Sequence, residues 1–276
     1  MFTVQWYPGH MTKAKRKIED IIKSIDIVIE LRDARIPYSS GNPDISSLAR
    51  GKEHIIVLNK RDLADENKTN EWITYFLQKG IECIPTRGTD KSDVKKILKL
   101  IERAGDKVFA KRRAKGFFDR PVRCLVIGIS NVGKSSLINS LSIKKVAATG
   151  NKPGITKGNQ WVRIGNKIEL LDTPGILWPK FEGNIGNNLA LTGSISDNVY
   201  ELYEAAIYLI EILVQKKYIA NEDPAELLLN YGKKRGLLEK GGRVDLDKTA
   251  LLYLKDFRTG KLGNYSIEWL SDYGSI

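Results

Sequence analysis

The segment Gly128-Ile129-Ser130-Asn131-Val132-Gly133-Lys134-Ser135 follows a continuous apolar run, Val122 to Ile127, and opens a stretch with helical spacing. A strand, a glycine-rich turn and a helix in that order form the setting in which such a turn wraps phosphates. Its glycines let the backbone approach closely, and successive N–H groups at the helix N-terminus supply positive potential. On this reading Lys134 reaches the β- and γ-phosphates and the Ser135 hydroxyl ligates magnesium. Asn131, Val132, Gly133 and Ser136 line the same loop.

Two further motifs take their meaning from that loop. Asp172-Thr173-Pro174-Gly175 ends an apolar run 37 positions beyond Ser135. A carboxylate there can hold magnesium, and the Gly175 N–H can sense a γ-phosphate. Between the two lies Lys152-Pro153-Gly154-Ile155-Thr156, where Thr156 is a candidate second magnesium ligand. Asn59-Lys60-Arg61-Asp62 follows the run His54 to Leu58. The Asp62 carboxylate can accept two hydrogen bonds from guanine N1–H and its 2-amino group, a pair that adenine does not offer. Pro85-Thr86-Arg87-Gly88, at the next strand end, can complete a base pocket. Four polar residues at a strand end also make an ordinary turn, so the base motif rests on its company.

Around these motifs the first 105 residues alternate strand and helix signals. Helices are expected at Lys13 to Lys23, Asn70 to Lys79 and Ser92 to Arg103, with Ser92 as N-cap. Strands are expected at Ile25 to Leu31, His54 to Leu58, Ile81 to Ile84 and Val122 to Ile127. Asn159 to Ile164 and Lys167 to Leu171 then read as a hairpin turning at Gly165-Asn166. This is an α/β pattern, a mostly parallel sheet with helices on both faces. Residues 106–120, with Lys111-Arg112-Arg113-Ala114-Lys115-Gly116, read as a basic linker. Past about residue 180 strand signals vanish. Val199 to Lys217 and Pro224 to Lys234 have helical spacing, Asp223 capping the second. The division is 1–178 for the nucleotide-binding unit and 179–276 for a smaller all-α unit.

Composition narrows the class. The 276 residues are 42% hydrophobic and 28% charged, an ordinary globular mix. No apolar run approaches a membrane span, and no basic-then-apolar leader opens the sequence. The two cysteines, Cys83 and Cys124, sit in strand-like segments and read as buried free thiols in a reducing, cytoplasmic setting. His54 opens a strand and reads as a surface residue. Residues 1–176 carry 33 basic and 19 acidic side chains, while the remainder carries 12 and 14. That asymmetry favours a polyanionic partner such as nucleic acid.

The motif set resembles the translation-factor class of GTPases with its order changed, because the base motif at 59–62 precedes the phosphate loop at 128–135. The chain is therefore similar to the circularly permuted GTPases. Gln5-Trp6-Tyr7-Pro8-Gly9-His10-Met11, Asp33-Ala34-Arg35-Ile36-Pro37 and Asp256-Phe257-Arg258-Thr259-Gly260-Lys261-Leu262-Gly263 narrow the resemblance to the YlqF family of ribosome biogenesis GTPases. It implies a circularly permuted P-loop GTPase fold and a monomer working with GTP, GDP and Mg2+. It also implies an RNA-binding helical unit acting on the large ribosomal subunit precursor and its rRNA, with ribosomal proteins as further partners. Permutation runs the chain from Gly175 straight into the helical unit, which makes a nucleotide-gated binder. Ile176 stands where Ras-type enzymes have a water-orienting glutamine. The resemblance implies that a polar residue enters from elsewhere, and His10 is the catalytic candidate; the other reading has His10 anchoring the N-terminus. Asn131 resembles the asparagine of potassium-dependent GTPases and implies a K+ site. RNA contacts are expected at Lys111, Arg112, Arg113, Lys115, Lys233, Lys234, Arg235, Arg258 and Lys261. The alternatives are a partner GTPase in RNA modification and a protein-binding signalling GTPase without RNA contact.

Overall fold

The computed structural model describes residues 2–4, 19–118, 120–142, 160–173 and 181–274. Six strands form one sheet among them: β1 (Ile27–Asp33), β2 (Glu53–Asn59), β3 (Glu82–Thr86), β4 (Val122–Gly128), β5 (Gln160–Ile164) and β6 (Ile168–Asp172). Their order is β3-β2-β1-β4-β6-β5. All neighbours are parallel except β5, which pairs antiparallel with β6 as the hairpin reading expected. The sheet reverses its winding between β1 and β4, so ligands belong in the crevice beyond the carboxyl ends of those strands.

Strand alternation sets the layers. Ile27, Ile29 and Leu31 of β1 pack with Val94, Ile97 and Ile101 of α3 (Lys91–Arg113). Val28 faces the other way, with Leu125, Ile127 and Ile45, the last from α1 (Pro43–Leu48). Ile56 and Leu58 bury Trp72 and Phe76 of α2 (Glu66–Gln78). Helices thus cover both faces, as expected. Past residue 181 the described chain is helical: α5 (Ile185–Leu191), α6 (Leu202–Gln215), α7 (Pro224–Lys234) and α8 (Leu246–Arg258), with α4 (Lys134–Leu141) belonging to the phosphate loop. Among the described residues no helix is long and apolar enough to cross a membrane.

Several expectations are corrected. Residues 106–113 are not linker: α3 runs 23 residues from Lys91 to Arg113, capped by Asp90 rather than Ser92. Gly105 lies inside it, where a Cβ would come within 3.4 Å of Val122, so its small size lets the helix sit close on β4. Only residues 114–121 connect α3 to β4. His54 is not a surface residue; its Nε2 lies 3.1 Å from the buried Glu30 carboxylate, which also takes Arg32 at 3.0 Å. Burial raises the Glu30 pKa, but Arg32 and His54 outweigh it and bring it to about 2. Helix α8 lies within the expected all-α unit, although its own residues were not assigned to a helix. Cys83 and Cys124 are buried and free, as read from the sequence.

The two units also exchange their chain ends. Phe2 packs on Tyr200 and Tyr208 at ring distances of 5.3 and 5.7 Å, and its carbonyl accepts from Asn187 Nδ2 at 2.7 Å. In return, residues 264–274 lie on the sheet unit. Ile267 N–H donates to the Arg35 carbonyl at 3.1 Å, and Tyr273 packs on Tyr38 at 4.2 Å. The buried Glu268 carboxylate accepts from the Tyr38 and Ser39 N–H groups, the Ser39 hydroxyl and Asn188 Nδ2.

Candidate nucleotide site

The described nucleotide-site candidates meet at the carboxyl ends of β1, β2, β3, β4 and β6, where the winding reversal predicts a ligand. The phosphate loop needs its glycines for space. A Cβ on Gly128 would come 2.5 Å from the Leu31 carbonyl, and one on Gly133 would come 2.2 Å from Asn59 Nδ2. Gly133 also holds φ at 103°, a left-handed value that costs glycine nothing.

Lys134 opens α4 and is buried. Its Nζ curls back to the carbonyls of Gly128 at 3.0 Å and Ile129 at 2.9 Å. Burial lowers its pKa to about 8, with Asp172 the opposing influence. The Ser135 hydroxyl donates to Asp172 Oδ2 at 3.2 Å. Asp172 is 1% exposed, burial raises its pKa, and its Oδ1 is buried without a hydrogen-bond partner. A hard cation wants oxygen ligands, and an orphaned carboxylate oxygen beside a serine hydroxyl fits one.

Asn59 ties the phosphate loop to the base loop. Its Nδ2 donates to the Val132 carbonyl at 2.7 Å, and its Oδ1 accepts from the Gly88 N–H at 2.9 Å. Asn59 therefore positions both loops through its own carboxamide. Asp62 is partly open, with Arg87 Nε at 3.4 Å from its Oδ2. Thr86 ends β3 with a buried hydroxyl that has no partner. Lys60 turns to Asp33, Nζ to Oδ2 2.8 Å, where Arg35 also binds at 2.9 Å. Burial opposes ionisation of Asp33, but Arg35 and Lys60 hold its pKa far below the usual range.

Sequence reasoning missed Asp93. Its carboxylate accepts from Arg61 Nε at 2.7 Å and the Arg87 N–H at 3.0 Å, so it shapes both base loops from the first turn of α3. The signal was there in Asp90 and Asp93 flanking a helix start. His10, Thr156 and Gly175 lie outside the described residues, as does Ile176.

The loop also touches the helical unit. Asn131, at φ 57°, donates from Nδ2 to the Gly193 carbonyl at 2.8 Å. Arg258 packs against Gly193. Its guanidinium donates to Asp197 at 2.8 and 3.0 Å, to the Ala190 and Leu191 carbonyls and to the Tyr200 hydroxyl. Arg258 is thus withdrawn from the RNA candidates, because its donors are spent inside the protein. Arg112 is largely withdrawn too, held by Asp26 at 2.6 Å. Arg235 is paired with the buried Asp256 at 2.7 Å. Lys111 pairs with Glu53 at 2.8 Å and Lys261 lies 3.5 Å from Asp256, yet both stay exposed, as do Lys233 and Lys234. Arg258→Ala is expected to destabilise the fold by about 2–3 kcal/mol by stranding Asp197 and two carbonyls. Urea denaturation measures it, and unchanged stability would return Arg258 to the surface candidates.

A family model described as 50S ribosome-binding GTPase matches residues 123–238. The Ribosome biogenesis GTPase A of Bacillus cereus is 43% identical over 282 residues, covering 98% of this chain and 95% of that one. The GNP-bound YlqF from T. maritima superposes with a TM-score of 0.70 at 32% identity, covering 93% of this chain and 98% of the other. Its GDP-bound counterpart gives 0.69 at 31% identity, covering 93% and 100%. Relatedness on this scale, over a parallel sheet that carries the base motif ahead of the phosphate loop, leaves one assignment: the chain belongs to the ribosome biogenesis GTPase A (YlqF) family of circularly permuted P-loop GTPases.

Proposed function

We propose that the chain is a GTP-hydrolysing switch in late assembly of the large ribosomal subunit. In the GTP state it binds the precursor particle and its rRNA, and it leaves after hydrolysis. The observation that carries this reading is the 2.8 Å hydrogen bond from Asn131, in the phosphate loop, to Gly193 in the helical unit. A loop that holds phosphates and also grips the neighbouring unit can bias that unit's position by nucleotide state. Gly175, the γ-phosphate sensor expected from the motif, supplies a covalent route to the same unit. The names of the relatives and of the matching family model supply the particle.

Within the site, Ser135 and Asp172 would hold magnesium, with Thr156 as a further ligand. When bound, the ion neutralises charge on the β- and γ-phosphates. Lys134 binds the same phosphates, and Asp62 selects guanine over adenine, with Lys60, Thr86, Arg87 and Gly88 around the base. His10 is the candidate for orienting the attacking water. Asn131 is the candidate potassium ligand: its nitrogen is committed to Gly193, which turns the carboxamide oxygen to the opposite side of the amide. Hydrolysis is expected to run faster in potassium than in sodium at equal ionic strength, and Asn131→Ala to erase the difference. Equal parent rates in both salts would remove the cation site.

The gating is tested by cosedimentation with large-subunit precursor particles, using a non-hydrolysable GTP analogue against GDP. Coupling between sites runs at about 1–3 kcal/mol, so the analogue is expected to tighten binding about 5- to 150-fold. Equal affinity in both states would overturn the switch.

A further inference from the structure

A cleft of about 700 Å³ opens on the side of the sheet away from the phosphate loop. It is lined by the last turns of α3, the loop after it, and the segments that enter β1 and β2. The phosphate loop follows the last residue of β4, whereas the cleft touches residues at or before the first residues of β1 and β2. Seven-residue strands separate the two by roughly 20 Å.

The cleft pairs two properties rarely left together in water. Among the described residues, six basic side chains line it against two acidic ones, a surplus of four positive charges. The acids serve to fix the bases. Asp26 holds Arg112 at 2.6 Å and Arg120 at 3.1 Å, and Glu53 holds Lys111 at 2.8 Å. At its rim stand Phe117, 63% exposed, and Phe118, 96% exposed. Scattered apolar residues at a surface are ordinary, but adjacent phenylalanines beside a cationic cleft match one ligand chemistry. That ligand carries flat apolar faces and negative charge in alternation. A duplex hides its base faces and offers only phosphates. An unpaired strand offers both, and binding by stacking platforms in basic grooves is the usual solution for such strands.

We propose that this cleft is a second RNA site, holding an unpaired segment with phosphates along Lys52, Lys111 and Lys115 and a base stacked on Phe117 or Phe118. The choice of RNA rests on the ribosomal reading given above. The site is separate from the nucleotide pocket and from the surface of the helical unit. It also gives the connection between α3 and β4, created by the permuted order, a task of its own.

Fluorescence anisotropy on the GDP-bound full chain tests it, with a ten-nucleotide single-stranded RNA and a hairpin duplex as probes. Phe117→Ala with Phe118→Ala is expected to weaken single-strand binding about 5- to 150-fold, the effect of losing one stacked base, and to leave duplex binding alone. The salt dependence of that variant stays as in the parent. Lys115→Ala is expected to reduce the slope of log affinity against log salt by about 0.7. Both variants change exposed residues and keep the parent's GTP affinity, which verifies the fold. Unchanged single-strand binding by the double phenylalanine variant overturns the site. Equal losses on both probes overturn it as well. Ultraviolet cross-linking of a photoreactive residue at 118 to a ribosomal protein, rather than to rRNA, assigns the cleft to a protein and overturns the RNA occupant. If the phenylalanine variant alone fails, nucleotide-dependent particle binding persists in the parent and the switch reading stands. A parent that binds neither RNA probe nor particle removes both.

Discussion

Lys134→Met is expected to keep its fold and lose its nucleotide. In the free protein Lys134 is a buried ammonium that donates to two carbonyls, and burial brings its pKa to about 8. Unfolded, the same lysine titrates near 10.4. Below pH 8 the folded chain carries the cost of that desolvated charge, on the order of 3 kcal/mol. Between pH 8 and about 10.5 the unfolded chain binds the additional proton, so the contribution of this group to stability improves as pH rises. Methionine removes the charge with little change of length. The variant is therefore expected to melt no lower than the parent without nucleotide, although the Gly128 and Ile129 carbonyls lose a donor. Phosphates supply Lys134 with a directly bonded counter-charge beyond the influence of Asp172, and removing one partner of such a buried pair costs about 2–5 kcal/mol, or roughly 30- to 5,000-fold in affinity. Saturating GTP raises the parent's melting temperature through its affinity for the folded state. A thermal melt of Lys134→Met with GTP is expected to show no rise. For the parent, GTP affinity is expected to fall by up to tenfold per pH unit above pH 8, because only the ammonium binds phosphate. A normal GTP-induced rise in the variant would separate Lys134 from the phosphates.

Asp62→Asn is expected to exchange guanine for xanthine. Asp62 sits in a half-open position at the mouth of the base loops, with Arg87 Nε at 3.4 Å. A carboxylate accepts from guanine N1–H and the 2-amino group together, whereas an asparagine amide presents one acceptor and one donor. The donor meets the 2-amino group of guanine and is repelled, but it meets the 2-carbonyl of xanthine and bonds. Sites built to pair a polar edge reject its mismatch by about 10⁴-fold. Titrations of fluorescent GTP and XTP would read this directly. If both bind Asp62→Asn as they bind the parent, the base is read elsewhere. Asn59 behaves differently, since its carboxamide is already shared between Val132 and Gly88 and its loss would loosen both loops for any nucleotide.

The site was more legible than the chain around it. Gly128 to Ser135, Asp172 and Asn59 to Asp62 are each encoded within a few consecutive residues, and strand ends place them without long-range information. What escaped was non-local. Arg258 looked like a surface base until Asp197, 61 positions earlier, closed on it. His54 looked exposed because Glu30, 24 positions earlier, is invisible to periodicity. The helix expected to end at Arg103 runs on through Gly105 to Arg113. The repeat of Ile97, Ile101, Ala104 and Val108 through it shows that burial on β4 outweighed the intrinsic cost of a mid-helix glycine, about 1 kcal/mol. Helix α8 carries its signal locally, in the N-cap Asp245 ahead of Leu246, Ala250, Tyr253, Leu254 and Phe257. The stretches holding His10, Thr156 and Gly175 lie outside the described residues, so their roles stand on motif and family alone.

Glu268 closes on Ser39 across 229 positions of chain, and Phe2 waits for Tyr200 and Tyr208. Synthesis proceeds from the N-terminus at about 5–20 residues per second, so the loop after β1 emerges roughly 10–50 s before its partner is made. Until residues 264–274 are made, they cannot cover Arg35, Tyr38 or Trp72. The faces that those side chains bury stay open until then. The nucleotide unit therefore gains its last cover only after the whole helical unit has been made.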